Sequence, residues 1–176
     1  MMKGVFKTRP TLPRHVVMYD VDIILKYMKS LPPNEHLLLE ELTKKLCMLL
    51  CLLTGQRAQV VPALTMDMIH RDPMGSEYVF YVSKMMKTTI PNHHAQPLVL
   101  EAFPDKSLCI VDCLDIYLDR TNLIRENSCD DGNQQMIISY HHPYKPVSKA
   151  TVARYVKLFL GEAGIDTKVF TAHSTR

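Results

Sequence analysis

The sequence predicts an α+β domain that is mainly α, with a small β-hairpin. Three observations carry this. Leu39, Leu42, Leu46, Leu49, Leu50 and Leu53 form one stripe at helical spacing, and Val152, Tyr155, Val156, Phe159 and Leu160 form another. Between them, Tyr78-Val79-Phe80-Tyr81-Val82 is the aromatic and β-branched composition of a strand. At 176 residues, 47% hydrophobic and 22% charged, the chain is long enough for one core and short for two.

Taken in order, Asp20 is the expected N-cap of a first helix with Val21, Ile24, Leu25 and Met28 on one side. Leu31-Pro32-Pro33-Asn34 stops it, because proline lacks the amide donor a helix interior needs. The leucine stripe predicts a second helix, apolar over so much of its surface that it should be central, ended at Gly55. Residues 57–69 read as a short helix or turn and a connector, with Pro62 awkward for any helix there. Residues 77–87 form the first strand, Pro91-Asn92 turns the chain, and Pro97 to Leu100 return as the second. A helix from about Ser107 to Arg120 follows, then a polar loop from Asn122 to Gln135 and a short apolar run from Met136 to Ser139. Ser148 caps the last helix, and Gly164 ends it.

The uncharged apolar run at residues 46–53 is far short of the ~20 residues of a membrane span. Met1-Met2-Lys3-Gly4-Val5-Phe6 lacks a signal peptide's apolar core, so the expected setting is intracellular or nuclear, with no membrane partner. Five cysteines, an odd number without an export signal, point to reduced thiols. Net charge is only +3, from 21 basic and 18 acidic residues, but it is unevenly spread. Residues 1–19 hold Lys3, Lys7, Arg9, Arg14 and His15 ahead of any carboxylate, which reads as a basic arm or a solvated tail before a domain at 20–176.

Two segments suggest chemistry. Thr54-Gly55-Gln56-Arg57 presents an arginine just after the leucine helix, and His173-Ser174-Thr175-Arg176 pairs a proton-transfer group with a guanidinium. Between them Lys87, in Met85-Met86-Lys87-Thr88-Thr89, stands at the tip of the expected hairpin. Lys149, Arg154 and Lys157 occupy a helical sector turned away from the apolar face, as a phosphate-tracking helix or an ordinary solvated face would. His93-His94, His141-His142 and Cys109 with Cys113 invite a metal reading, but a zinc site draws four ligands from paired knuckles and no second Cys pair matches. Cys47 and Cys51 read as core residues of the leucine helix. No Gly-rich phosphate loop occurs, and neither a metal nor a cofactor is expected.

In this order, the two arginine boxes and the lysine-tipped hairpin resemble the catalytic domain of the tyrosine recombinase (phage-integrase-like) family. The likeness is nearest to recombinase-like genes of eukaryotic mobile elements, through residues 16–30, 46–59, 87–104, 145–164 and 170–176. The resemblance implies that family's DNA breaking-rejoining fold, duplex DNA as partner, oligomers on DNA in a full-length form, and metal-free strand exchange. It implies that Arg57 and Arg176 clamp the scissile phosphate, that Lys87 protonates the leaving 5′ oxygen, and that His173 assists. The family's nucleophilic tyrosine follows the second box. All eight tyrosines here (Tyr19, Tyr27, Tyr78, Tyr81, Tyr117, Tyr140, Tyr144, Tyr155) precede it, so the expectation is a truncated domain, inactive alone, with residues 1–19 as the tail of a missing core-binding domain. Where the family often carries an acidic residue three positions after the first-box arginine, this chain has Val60. The alternatives are a non-catalytic DNA-binding relic of a mobile element and a helical protein-interaction domain.

Overall fold

The computed structural model describes residues 19–54, 60–81, 97–127 and 135–170. They form an α+β arrangement of four helices and a three-stranded antiparallel sheet. Helix α1 (Val21–Ser30) starts where the Asp20 carboxylate accepts the Asp22 amide at 3.0 Å, buries Ile24 and Met28, and ends at an extended Leu31 before the two prolines. A single 3-10 turn at Asn34–His36 leads into α2 (Leu39–Thr54), whose first turn carries Glu40 and Glu41, the sign that suits a helix N-terminus. Every residue from Leu42 to Cys51 is buried, because α2 packs against helices on two sides.

That enclosure takes in Lys44 and Lys45. The Lys44 ammonium reaches Glu162 and also lies 3.3 Å from Glu40, while Lys45 donates to Asn34 Oδ1 at 2.8 Å. Asn34 in turn donates from Nδ2 to Asp112 Oδ2 at 2.8 Å. A buried cation needs such partners, since its unpaired form would cost far more than any packing could return.

Pro62 lies in the first turn of a 3-10 helix at Val61–Ala63, where a missing amide donor costs nothing, so it interrupts no α-helix. The hairpin expectation is extended to three strands, β1 (Ile69–Arg71), β2 (Glu77–Phe80) and β3 (Leu98–Glu101), with Phe80 opposite both Ile69 and Leu98. Of the expected 77–87 strand, β2 is the described part, and residues 82–87 lie outside the described residues. The sheet is tied to the next helix by Asp115, which accepts from Arg71 at 2.7 Å and from the Tyr78 hydroxyl.

That helix, α3 (Ile110–Glu126), begins later and runs longer than the expected 107–120. The start moves because Asp105 accepts both the amide and the hydroxyl of Ser107 in a separate turn, leaving the Cys109 sulfur as the cap that accepts the Asp112 amide at 3.4 Å. Arg125, in its last turn, donates to the Gln135 and Met136 carbonyls and fastens the buried run Met136–Ile138. Helix α4 (Lys149–Glu162) is capped by Ser148, whose hydroxyl accepts the Thr151 amide at 3.2 Å. It closes through Ala163 and Gly164, the latter at φ 86°, a left-handed position that favours glycine. Among the described residues, no helix is long and apolar enough to cross a membrane.

Candidate nucleic-acid interface

Helix α4 positions the cationic residues. Val152, Tyr155, Val156, Phe159 and Leu160 are buried against α2 and its surroundings, which fixes the helix's rotation about its axis. With about 100° per residue, Arg154 and Lys157 then fall on the opposite, outward sector, whereas Lys149 shares the angular sector of the buried stripe and reaches solvent as the first residue of the helix; all three are exposed. Each lacks a carboxylate partner among the described residues, whose ion pairs are Lys29–Asp105, Lys44–Glu40, Lys44–Glu162, Arg71–Asp115 and Lys106–Asp112. Glu162, the one carboxylate on α4, is engaged by Lys44 from the core side. Burial alone would pull the Lys44 ammonium down, but the hydrogen bond and charge of Glu162 outweigh it and raise its pKa. Arg154 lies over the Tyr155 ring, 5.9 Å from its centroid, and shares a surface hollow of about 560 Å³ with Lys157, Leu158, Gly161, Glu162 and Thr167.

The loop entering α4 brings further polar and cationic side chains to the surface. The Ser139 amide donates to the Lys145 carbonyl at 2.8 Å, the Tyr144 amide donates to the His141 carbonyl at 2.8 Å, and Ile138 bridges to Pro146. Tyr140 packs on Tyr155 with ring centroids 4.8 Å apart, and His141 sits 4.4 Å from Tyr140. This anchoring leaves His141, His142 and Lys145 exposed just ahead of Lys149. Tyr144 sits at φ 57°, uncommon for a residue with a side chain. By spacing, the two histidines suggested only metal ligation. The stronger signal is the alternation of aromatic, imidazole and lysine side chains in Tyr140-His141-His142-Pro143-Tyr144-Lys145 immediately before the Ser148 cap.

Arg57, Lys87, His173 and Arg176 lie outside the described residues, as do Gly55, His93 and His94. The described residues nearest the two arginine boxes are Thr54, which ends α2, and Phe170. The Tyr19 ring meets Phe170 edge-on at 5.6 Å, and burial, followed by the charge of Cys51, pushes its hydroxyl pKa up to about 12. Cys51 is one turn before the end of α2 and is itself pushed up to about 11 by burial. Val60, at the position where the resembling family often has a carboxylate, is a buried core residue.

The four described cysteines have structural surroundings. Cys47, Cys51 and Cys113 are buried in the core, and Cys109 accepts amides from Phe103 and Asp112. Among the described residues, no three His, Cys, Asp or Glu side chains are grouped so as to hold a metal ion. Compared with known proteins, the chain matches no family model, no curated protein and no solved structure.

Proposed function

We propose that this domain binds duplex DNA through phosphate contacts from the outward face of α4 and the loop before it, as the catalytic-domain portion of a tyrosine-recombinase-like strand-exchange protein. The observation that carries the DNA reading is the set of three exposed cations without carboxylate partners among the described residues, Arg154 and Lys157 on the side of the helix opposite its buried stripe and Lys149 at its first residue. A rigid helix with unneutralised cations loses little entropy on meeting a polyanion, and each phosphate contact releases counterions. His141, His142 and Lys145 are exposed in the loop just before the helix.

The recombinase reading rests on the sequence resemblance. Phe170, the last described residue before the second box, packs edge-on against Tyr19 at the start of the described chain. On this reading Arg57 and Arg176 grip a phosphate, and Lys87 and His173 handle protons. The chemistry is phosphoryl transfer, in which fixed guanidinium groups stabilise charge that develops on the transferring group.

The test is fluorescence anisotropy with a labelled duplex across a salt series. Binding is expected to be weak, with little sequence preference, and to fall steeply as salt rises. The Arg154→Ala, Lys157→Ala double variant should bind more weakly with a shallower salt slope. Arg57→Ala in the same assay separates the readings: a further loss of affinity supports a phosphate grip at the first box, and unchanged affinity leaves a DNA-binding relic without that grip. No binding at low ionic strength would defeat both.

A further inference from the structure

We propose that the apolar groove bounded by α1, the end of α2 and β3 is the docking site for the chain's own basic N-terminal segment, residues 1–18. The groove encloses about 620 Å³, and Val21, Leu25, Leu52, Leu53, Val99 and Phe103 lie along its walls. Four of these large apolar side chains are substantially exposed: Val21 at 41%, Leu53 at 57%, Val99 at 43% and Phe103 at 53%. Single exposed apolar residues are ordinary, but four converging on one hollow mark a surface that is normally covered.

Charge selects the occupant. Glu101 is the one charged residue among those lining the groove. Asp20 and Asp22 flank Val21 at one end, and both are exposed. Lys29, on the same helix as Val21, is held by Asp105 at 3.2 Å. The segment that fits is apolar with flanking cations and no carboxylate.

Residues 1–18 have that composition. Val5, Phe6, Leu12, Val16, Val17 and Met18 are interspersed with Lys3, Lys7, Arg9, Arg14 and His15, and no Asp or Glu occurs among them. The segment joins the described residues at Tyr19, two positions from Val21 on the groove wall. At up to about 3.5 Å per residue, even half of its length spans roughly 30 Å, enough to run along the groove. A tethered segment also faces its site at an effective concentration of about millimolar, so an affinity too weak to hold a free peptide suffices here. Phe6, the one aromatic of the segment, is the natural anchor. This proposal does not depend on the DNA reading, and its test uses no DNA.

The experiment uses the full 176-residue chain with the photo-crosslinker p-benzoylphenylalanine in place of Phe6, irradiated at low micromolar concentration and mapped by peptide mass spectrometry. Adducts at Leu53, Val99 or Phe103 on a product that migrates as monomer are expected. Leu53→Asp should lower their yield about tenfold, the worth of burying one large apolar side chain. Phe103→Asp reaches the groove from the β3 side and should act alike, which keeps the test intact if one variant folds poorly by circular dichroism. Glu101→Lys should lower the yield severalfold, and Leu38→Asp, exposed but outside the groove, should leave it unchanged. Adducts scattered over the surface, or a yield indifferent to both groove variants, would overturn the proposal. Groove adducts found only in cross-linked dimers would overturn it too, and would assign the groove to a second copy of the chain.

Discussion

Lys45 has no exposed surface, and its ammonium donates to the neutral Asn34 amide rather than to a carboxylate. Burial therefore lowers its pKa below the ordinary 10.5, with Cys113 and Asp112 pulling the other way. At pH values below the folded pKa both states hold the proton, and the folded protein bears the full cost of the buried charge. Between the folded pKa and 10.5 the unfolded chain binds more protons, so this residue's contribution to stability improves as pH rises. The buried thiols act oppositely, since burial raises Cys47, Cys51 and Cys113 above 9.0 and their contribution is lost on going alkaline. Comparing urea midpoints with native Lys45 and with Lys45→Met, both in a Cys113→Ala background, at pH 8 and pH 10 removes the thiol coupled to Lys45 and cancels the others. The difference should move in favour of Lys45 at the higher pH, and a constant difference would refute the buried-cation account. The same burial makes Cys51, at about 11, and Cys113, at about 12, poor nucleophiles. Iodoacetamide at pH 8 is expected to modify them only in unfolded protein, as peptide mapping of native and urea-treated samples would show.

At the scale of the element, α4 divides its two tasks between opposite sides. Ser148→Ala removes the cap on the Thr151 amide and should cost about 1 kcal/mol. Phe159→Ala, which empties a buried site packed edge-on against Tyr27, should cost about 3–5 kcal/mol. Lys157→Ala, on the exposed side, should stay within about 0.5 kcal/mol in the same urea titration. Its effect is expected in DNA binding instead, as a salt slope shallower by about 0.9 for one lost phosphate contact. A Lys157→Ala variant that unfolds as readily as Phe159→Ala would show that the two sides are not separable.

Across the whole molecule, α2 is the element on which α3 and α4 both pack, and the sheet reaches the core through α3. Opening α2 to solvent thus requires separating it from both neighbours. Its amides between Leu42 and Cys51 should be the slowest in native-state hydrogen exchange, and those of β1, with two exposed residues of three, should be among the faster. Faster exchange in α2 than in α1 would contradict this order.

Periodicity and punctuation make the four helices, their caps at Asp20 and Ser148, and the stop at the two prolines legible in the amino-acid order alone, because each is a local property of the chain. The outward sector of Arg154 and Lys157 is legible for the same reason, since on a helix the buried stripe dictates the exposed one; Lys149, expected on that sector, lies at the stripe's own angle and is exposed by its place at the helix start. Other features depend on distant partners. Strand β1 is three residues without alternation and exists because β2 offers it a ladder. The burial of Lys44 depends on Glu162, 118 residues away, and Lys45 is held by Asn34 of the turn before α2, which itself donates to Asp112 of α3. The start of α3 is a local exception, displaced by an Asp105–Ser107 turn that competes with the helix, with Cys109, a metal candidate by spacing, serving as its cap. The apolar groove joins α1, α2 and β3, so no single window of sequence contains it. Local spacing set the elements and their faces; which faces met, and which were left uncovered, was decided by packing, since that energy is shared among residues the sequence keeps far apart.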